Sequence, residues 1–213
     1  KASCMKSMVI LNQAISPITV DIANSLQRHG CDVRLYTGSS TDACSQLHPS
    51  IAQHHYTPYR RTSTLQRIWT WGAFFLMTLL RLLVTRRPFE VFAVTNPPLN
   101  VFTALILKKT RGIPYHLLLF DIYPDAAVHY EYFRSGGMID RLWGWLTKIS
   151  FANATNIFTI SERMRATVQQ YVPAEREIHI IHNWADNGSI NPLEKQVNPF
   201  LVDLGFTAKK TVL

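Results

Sequence analysis

The residues best placed to do chemistry in this chain sit just past short apolar runs. Asn12 ends the run 8–12 and Gln13 and Ser16 follow it; Asn96 follows 90–95; Asp121, Tyr123 and Asp125 follow 114–120; Ser161 and Glu162 follow 156–160; Asn183 and Trp184 follow 177–182. Asp121 leads this group, because a carboxylate at the exit of a buried strand is held on a rigid element and can take a proton or orient a hydroxyl. Asp121 and Asp125 equally suit the capping of a turn or of a following helix. Ser161 fits a helix N-cap, whose free N–H groups attract anions, and Asn183 fits a turn. His54 and His55 have no third ligand at useful spacing, and His179 and His182 fall on opposite faces of a strand, so no metal site is expected. Neither a dinucleotide fingerprint nor a phosphate-binding P-loop is present, so no resident cofactor is expected.

For these residues to meet, the apolar runs must be strands of one sheet. The run 8–12 precedes a helical pattern from Pro17 to His29, closed by Gly30, and 32–37 alternates as a second strand. The same order recurs as strand 90–95, helix 99–110 with Gly112 as its stop, and strand 114–120. A helix over 138–152, a strand over 156–160, a helix over 161–171 and a strand over 177–182 follow. Such alternation specifies an α/β fold with a doubly wound, Rossmann-like parallel sheet, in which ligands gather at the carboxyl ends of the strands. After Asn183 the apolar period stops. The expected organisation is one domain over 1–183, a linker over 184–208, and the opening strand of a truncated second domain over 209–213.

The formal charge of +8 implies an anionic partner. Arg60, Arg61, Arg67, Arg81, Arg86 and Arg87 gather around the uncharged stretch 68–80, whereas no aromatic–basic alternation suited to single-stranded nucleic acid appears. An anionic membrane surface reached through 60–87 is therefore favoured over nucleic acid. A span is not expected, because the uncharged stretch falls short of roughly 20 residues. A core helix, with Trp69, Phe74, Phe75, Leu76 and Leu79 as packing residues, and a lipid-docking helix both stand open for this segment. Cys4, Cys31 and Cys44 are odd in number and lack CxxC spacing, which points to a reduced, cytoplasmic compartment.

Several motifs, in order, carry a resemblance: Arg28-His29-Gly30-Cys31-Asp32-Val33, Asn96-Pro97-Pro98-Leu99, Phe120-Asp121-Ile122-Tyr123-Pro124-Asp125, Ile160-Ser161-Glu162-Arg163-Met164 and His182-Asn183-Trp184-Ala185-Asp186. Together they resemble the N-terminal domain of family 4 glycosyltransferases of the GT-B fold, particularly those building bacterial exopolysaccharide and lipid-linked oligosaccharide. The resemblance implies one half of a GT-B architecture, with an acceptor-side domain here and a nucleotide-sugar donor held by a second domain. It implies a retaining transfer to a glycan or polyprenyl-phosphate-linked acceptor, without a required metal, and a chain inactive without its donor domain. Asp121 then matches the catalytic strand-end residue, and Asn12, Gln13, Ser16, Asn96, Tyr123, Asp125, Ser161 and Glu162 the acceptor side. Asn183 and Trp184 match the donor-side edge, and the enzyme would sit peripherally on the cytosolic face of the membrane. One departure is a first loop, Asn12 to Ser16, without the family's usual glycines. A non-catalytic α/β ligand-binding module and a membrane-surface interaction domain are the alternative readings.

Overall fold

The apolar runs of this sequence are short, rich in Val, Ile, Leu and Phe, and buried on both faces, which is the signature of parallel strands covered by helices on each side. The structure, a computed structural model, describes residues 7–39, 44–60, 62–86, 88–122, 137–185 and 198–203. The chain divides into two compact units, Lys1–Asn183 and Trp184–Leu213. In the first, β1 (Ser7–Leu11), β2 (Asp32–Thr37), β3 (Ala52–His55), β4 (Glu90–Val94), β5 (Tyr115–Leu119), β6 (Asn156–Thr159) and β7 (His179–Ile180) form one seven-stranded sheet ordered β3-β2-β1-β4-β5-β6-β7. Every pairing is parallel.

Helices α1 (Pro17–Arg28), α2 (Thr64–Val84), α3 (Asn100–Arg111), α4 (Met138–Asn153) and α5 (Glu162–Gln169) cover the sheet, and the second unit contains the short helix α6 (Pro199–Asp203). Alternate strand residues face opposite layers. Val9, Leu11, Val91, Ala93, Tyr115, Leu117 and Leu119 pack with α2, α3, α4 and α5. Met8, Ile10, Val33, Leu35, Phe92, Val94 and Leu118 pack with α1 and the segment around Leu47 and Ile51. Each fully buried Leu or Ile contributes about 1.5–3 kcal/mol. The helix ends follow local chemistry: Ser16, Ser63 and Ser161 cap α1, α2 and α5, and Gly112, at φ 64°, ends α3 in the left-handed region that glycine tolerates.

Two elements differ from expectation. β3 is a four-residue edge strand whose polar sequence, Ala-Gln-His-His, carries no apolar alternation. Its position is fixed instead by pairing with β2 and by His54, which packs on Tyr36 with ring centroids 4.5 Å apart. The second difference is α2, which runs for 21 residues with Arg67 and Arg81 inside it rather than at its ends. By length and composition it is long enough to cross a membrane, so the shortness argued from its uncharged stretch is corrected. Its inner face nevertheless belongs to the core through Thr70, Phe74, Thr78, Leu79 and Leu82. Trp69 and Leu76, which a purely core helix would pack, face outward at 75% and 53% exposure. The expected strand over 209–213 lies outside the described residues, and part of the expected linker is the helix α6.

The central strands end in a buried polar tie. Asn100 is fully buried, and its Nδ2 donates to the carbonyls of Leu11 (3.1 Å), Val94 (2.9 Å) and Asn96 (3.3 Å). Replacing it with leucine removes this donor from the Leu11 and Val94 carbonyls, while the Asn96 carbonyl keeps the Gln13 N–H. Asn100→Leu should lower the unfolding free energy by about 2–3 kcal/mol in urea denaturation.

Candidate active site

Strand order reverses between β1 and β4: the chain leaves β1 toward β2 on one side and leaves β4 toward β5 on the other. Loops that part in this way open a crevice at the carboxyl edge of the sheet. A cleft of about 280 Å³ occupies that place, lined by Asn12, Ala14, Ser16, Ile18, Tyr59, Trp71, Val94, Thr95, Asn96, Pro98, Phe120 and Asp121.

Each loop bordering the cleft is stitched to its neighbour. The Gln13 N–H donates to the Asn96 carbonyl at 2.9 Å, and Asn96 Nδ2 donates back to the Ala14 carbonyl at 3.3 Å. Thr95 Oγ1 accepts the N–H groups of Phe120 (2.9 Å) and Asp121 (3.3 Å), which fixes the backbone from which the Asp121 carboxylate projects. Asn12 donates through Nδ2 to Thr19 Oγ1 at 2.7 Å. Ser16 Oγ accepts the Thr19 N–H at 3.4 Å and caps α1, so the start of this helix borders the cleft.

Asp121 reaches solvent at the cleft mouth, yet protein on its other sides removes enough hydration to push its carboxyl above the usual carboxylate pKa. Among the described residues no hydrogen bond or ion pair engages that carboxylate. A rigidly mounted carboxylate with raised basicity, beside two amides and a hydroxyl, can orient a substrate hydroxyl or stabilise positive charge developing nearby.

The structure brings Asn12, Ser16, Asn96 and Asp121 together. It does not bring in Gln13, which is fully buried and spends its amide on Thr57 and Thr70 carbonyls, so its expected place against a ligand is corrected to an internal tie. Ser161 caps α5 through the Met164 N–H at 3.2 Å, and Glu162 pairs with Arg165 at 2.6 Å; neither lines this cleft, because β6 lies beyond β5 in the sheet. Asn183 is exposed at the end of the first unit, and Trp184, 40% exposed, begins the second. Tyr123 and Asp125 lie outside the described residues. Tyr59 and Trp71 were not anticipated as lining residues. Trp71 sits in an apolar run that reads as packing, and only its placement on the inner side of α2, beside Thr70 and Phe74, distinguishes it from the exposed Trp69.

A doubly wound parallel sheet with a polar cleft at its switch point defines a Rossmann-like domain, the half-unit of a GT-B architecture. The chain belongs to the glycosyl transferase 4-like domain family, whose model matches residues 14–184. It is 27% identical over 116 residues to "Probable glycosyltransferase WbjE" of Pseudomonas aeruginosa, a match covering 54% of this chain and 29% of that protein. Its fold is similar to sucrose-phosphate synthase from Thermosynechococcus elongatus, with a TM-score of 0.63, 11% identity, and coverage of 96% of this chain and 53% of the synthase. The chain thus spans well under two thirds of each of these relatives.

A raised carboxyl pKa has a definite sign for stability. Burial favours the protonated form in the folded state, so the stability this group carries is present below the unfolded-state pKa and lost as pH rises through the folded one. Asp121→Asn should therefore melt with the wild type at about pH 3 and above it at about pH 7 in scanning calorimetry, the unfolded carboxyl titrating near 3.9.

Proposed function

We propose that this chain is the acceptor-side domain of a retaining glycosyltransferase. The enzyme would move a sugar from a nucleotide-sugar donor, held by a second Rossmann-like domain, to a glycan or polyprenyl-phosphate-linked acceptor. The observation that carries this reading is the Asp121 carboxylate at the exit of β5, bordering a cleft shared with Asn12, Ser16 and Asn96, in a chain of this family. In the proposed step the anomeric carbon–oxygen bond to the donor phosphate breaks as the acceptor oxygen bonds that carbon from the same face. The acceptor proton passes to the departing phosphate oxygen. Asp121 orients the acceptor hydroxyl and offsets the positive charge that builds on the sugar ring. The step uses no metal and no further cofactor.

The proposed acceptor is lipid-linked because of α2. Leu65, Trp69, Leu76, Leu80 and Val84 expose 53–81% of their surfaces on one side of this helix, while its other side joins the core. No Asp or Glu falls between Asp42 and Glu90, where six arginines do. An apolar face on a segment whose charged residues are all basic suits an anionic bilayer, each arginine near the surface adding about 1 kcal/mol. The same helix carries Trp71 at the cleft, so a bilayer on its outer face would bring a lipid-linked acceptor close to Asp121. This reading makes the enzyme peripheral, on the cytosolic face of the membrane.

Two measurements test it. Asp121→Asn in the full-length enzyme should reduce transfer by about 100-fold or more at retained fold. In the wild type the acidic limb of the rate profile should lie at higher pH than an unperturbed aspartate would give, since burial raises the Asp121 carboxyl and the rate rises as it ionises; unchanged turnover in the variant removes Asp121 from the mechanism. In co-sedimentation, the full-length protein should bind phosphatidylglycerol vesicles at low salt and phosphatidylcholine vesicles weakly. Trp69→Glu combined with Leu76→Glu should abolish that binding, and an unaffected double variant rules out docking through α2.

A further inference from the structure

Two aromatic side chains on the cleft wall have no role in the transfer step described above. Tyr59 lies in the loop leading into α2 and Trp71 lies within α2. Their rings stack with centroids 6.2 Å apart and planes inclined by 23°, and both residues are half-buried and line the cleft. The remaining lining is rich in hydrogen-bonding groups. Asn12 is 1% exposed, borders the cleft, and has an Oδ1 without a hydrogen-bond partner among the described residues. A buried acceptor left in this way costs free energy unless something donates to it.

The aromatic pair is held from behind by one side chain. Gln13 Nε2 donates to the Thr57 carbonyl at 2.9 Å and to the Thr70 carbonyl at 2.9 Å. Thr57 lies in the loop that presents Tyr59, and Thr70 immediately precedes Trp71. The loop is also clamped against the end of β2. Tyr56 donates its N–H to the Thr37 carbonyl at 2.7 Å, and a Cβ at Gly38 would stand 2.2 Å from the Thr57 oxygen, so only glycine permits that approach.

We propose that Tyr59 and Trp71 form a platform for a pyranose ring of the acceptor, and that Gln13 is the positioning residue that sets the platform. The proposal rests on reading this cleft as the acceptor side. A pyranose presents a weakly positive C–H face that matches the negative face of an aromatic ring, while its hydroxyls project at the rim toward Asn12 Oδ1, Asn96 and Asp121. The volume of about 280 Å³ lies just below the usual range of ligand pockets, roughly 300–1,000 Å³, and suits one sugar ring rather than a longer glycan. Fixing both aromatic residues through a single buried amide lowers the ordering cost of binding.

Saturation-transfer NMR on the full-length enzyme, with the methyl glycopyranosides of glucose and N-acetylglucosamine as probes, tests this. The wild type should bind at least one probe, with saturation concentrated on the ring protons of one face. Trp71→Ala and Tyr59→Ala should weaken binding about tenfold, and Trp71→Phe should stay within about threefold, as expected for stacking. Gln13→Met should weaken it about as much as Trp71→Ala, and combining the two should add little, because both act through one platform. Should Trp71→Ala not fold, Tyr59→Ala in the loop supplies the same comparison. Wild-type affinity in a folded Trp71→Ala or Tyr59→Ala, or no probe bound by the wild type, overturns the platform. Additive losses overturn the role of Gln13. Absence of glycosyl transfer by the wild type from any nucleotide sugar is a different result, and sinks the acceptor-side reading itself.

Discussion

The amide of Asn100 closes the sheet at the one place where parallel pairing cannot. β1 and β4 lie side by side, but their chains part at the carboxyl edge, and the carbonyls of Leu11, Val94 and Asn96 turn inward there. Buried carbonyls left unpaired cost on the order of 1–3 kcal/mol each, so a crevice at a switch point needs polar side chains to exist at all. Asn100 answers this from the first turn of α3, and the Gln13 and Thr95 ties extend the solution to either side. The cleft is thus a result of topology whose walls are held by side-chain hydrogen bonds.

Helix α2 serves this arrangement on three sides. Its inner residues complete the core, and the buried hydroxyls of Thr70 and Thr78 are satisfied by its own carbonyls, at 3.0 Å to Arg67 and 2.8 Å to Phe74. Trp71 reaches the cleft, and Leu65, Trp69, Leu76, Leu80 and Val84 are left facing outward. A helix apolar nearly all round is ordinarily buried nearly all round. Here the inner residues Thr70, Phe74, Thr78, Leu79 and Leu82 are buried while the outer apolar residues stay exposed, and that outer face is the one proposed above to meet a bilayer.

Much of the fold was legible because period and punctuation agreed. The runs before Asn12, Asn96 and Asp121 became adjacent strands, Gly112 ended α3, and Ser161 capped α5. The edge strand β3 was not legible, since Gln53, His54 and His55 carry no apolar alternation and owe their place to pairing with β2 and to Tyr36. The extent of α2 was misjudged because Arg67 and Arg81 read as boundaries, although a long side chain can run along a helix with its charge in water. Strand-end position picked out Asn12, Ser16, Asn96 and Asp121, which the structure gathers around one cleft. It could not separate them from Gln13, whose side chain turns inward, or from Ser161 and Glu162, which stand one strand further along the sheet.

By itself the sequence determined the alternating elements, the strand-end location of the polar residues and the family likeness, because each follows from local periodicity and residue type. Only the tertiary structure decided which strand ends face a common cleft, since that depends on strand order and on where the order reverses. It also decided that Trp71 looks into the cleft while Trp69 looks out. The two tryptophans sit two positions apart, a rotation of about 200° around a helix of 3.6 residues per turn, and the sheet beneath α2 fixes which of them faces in.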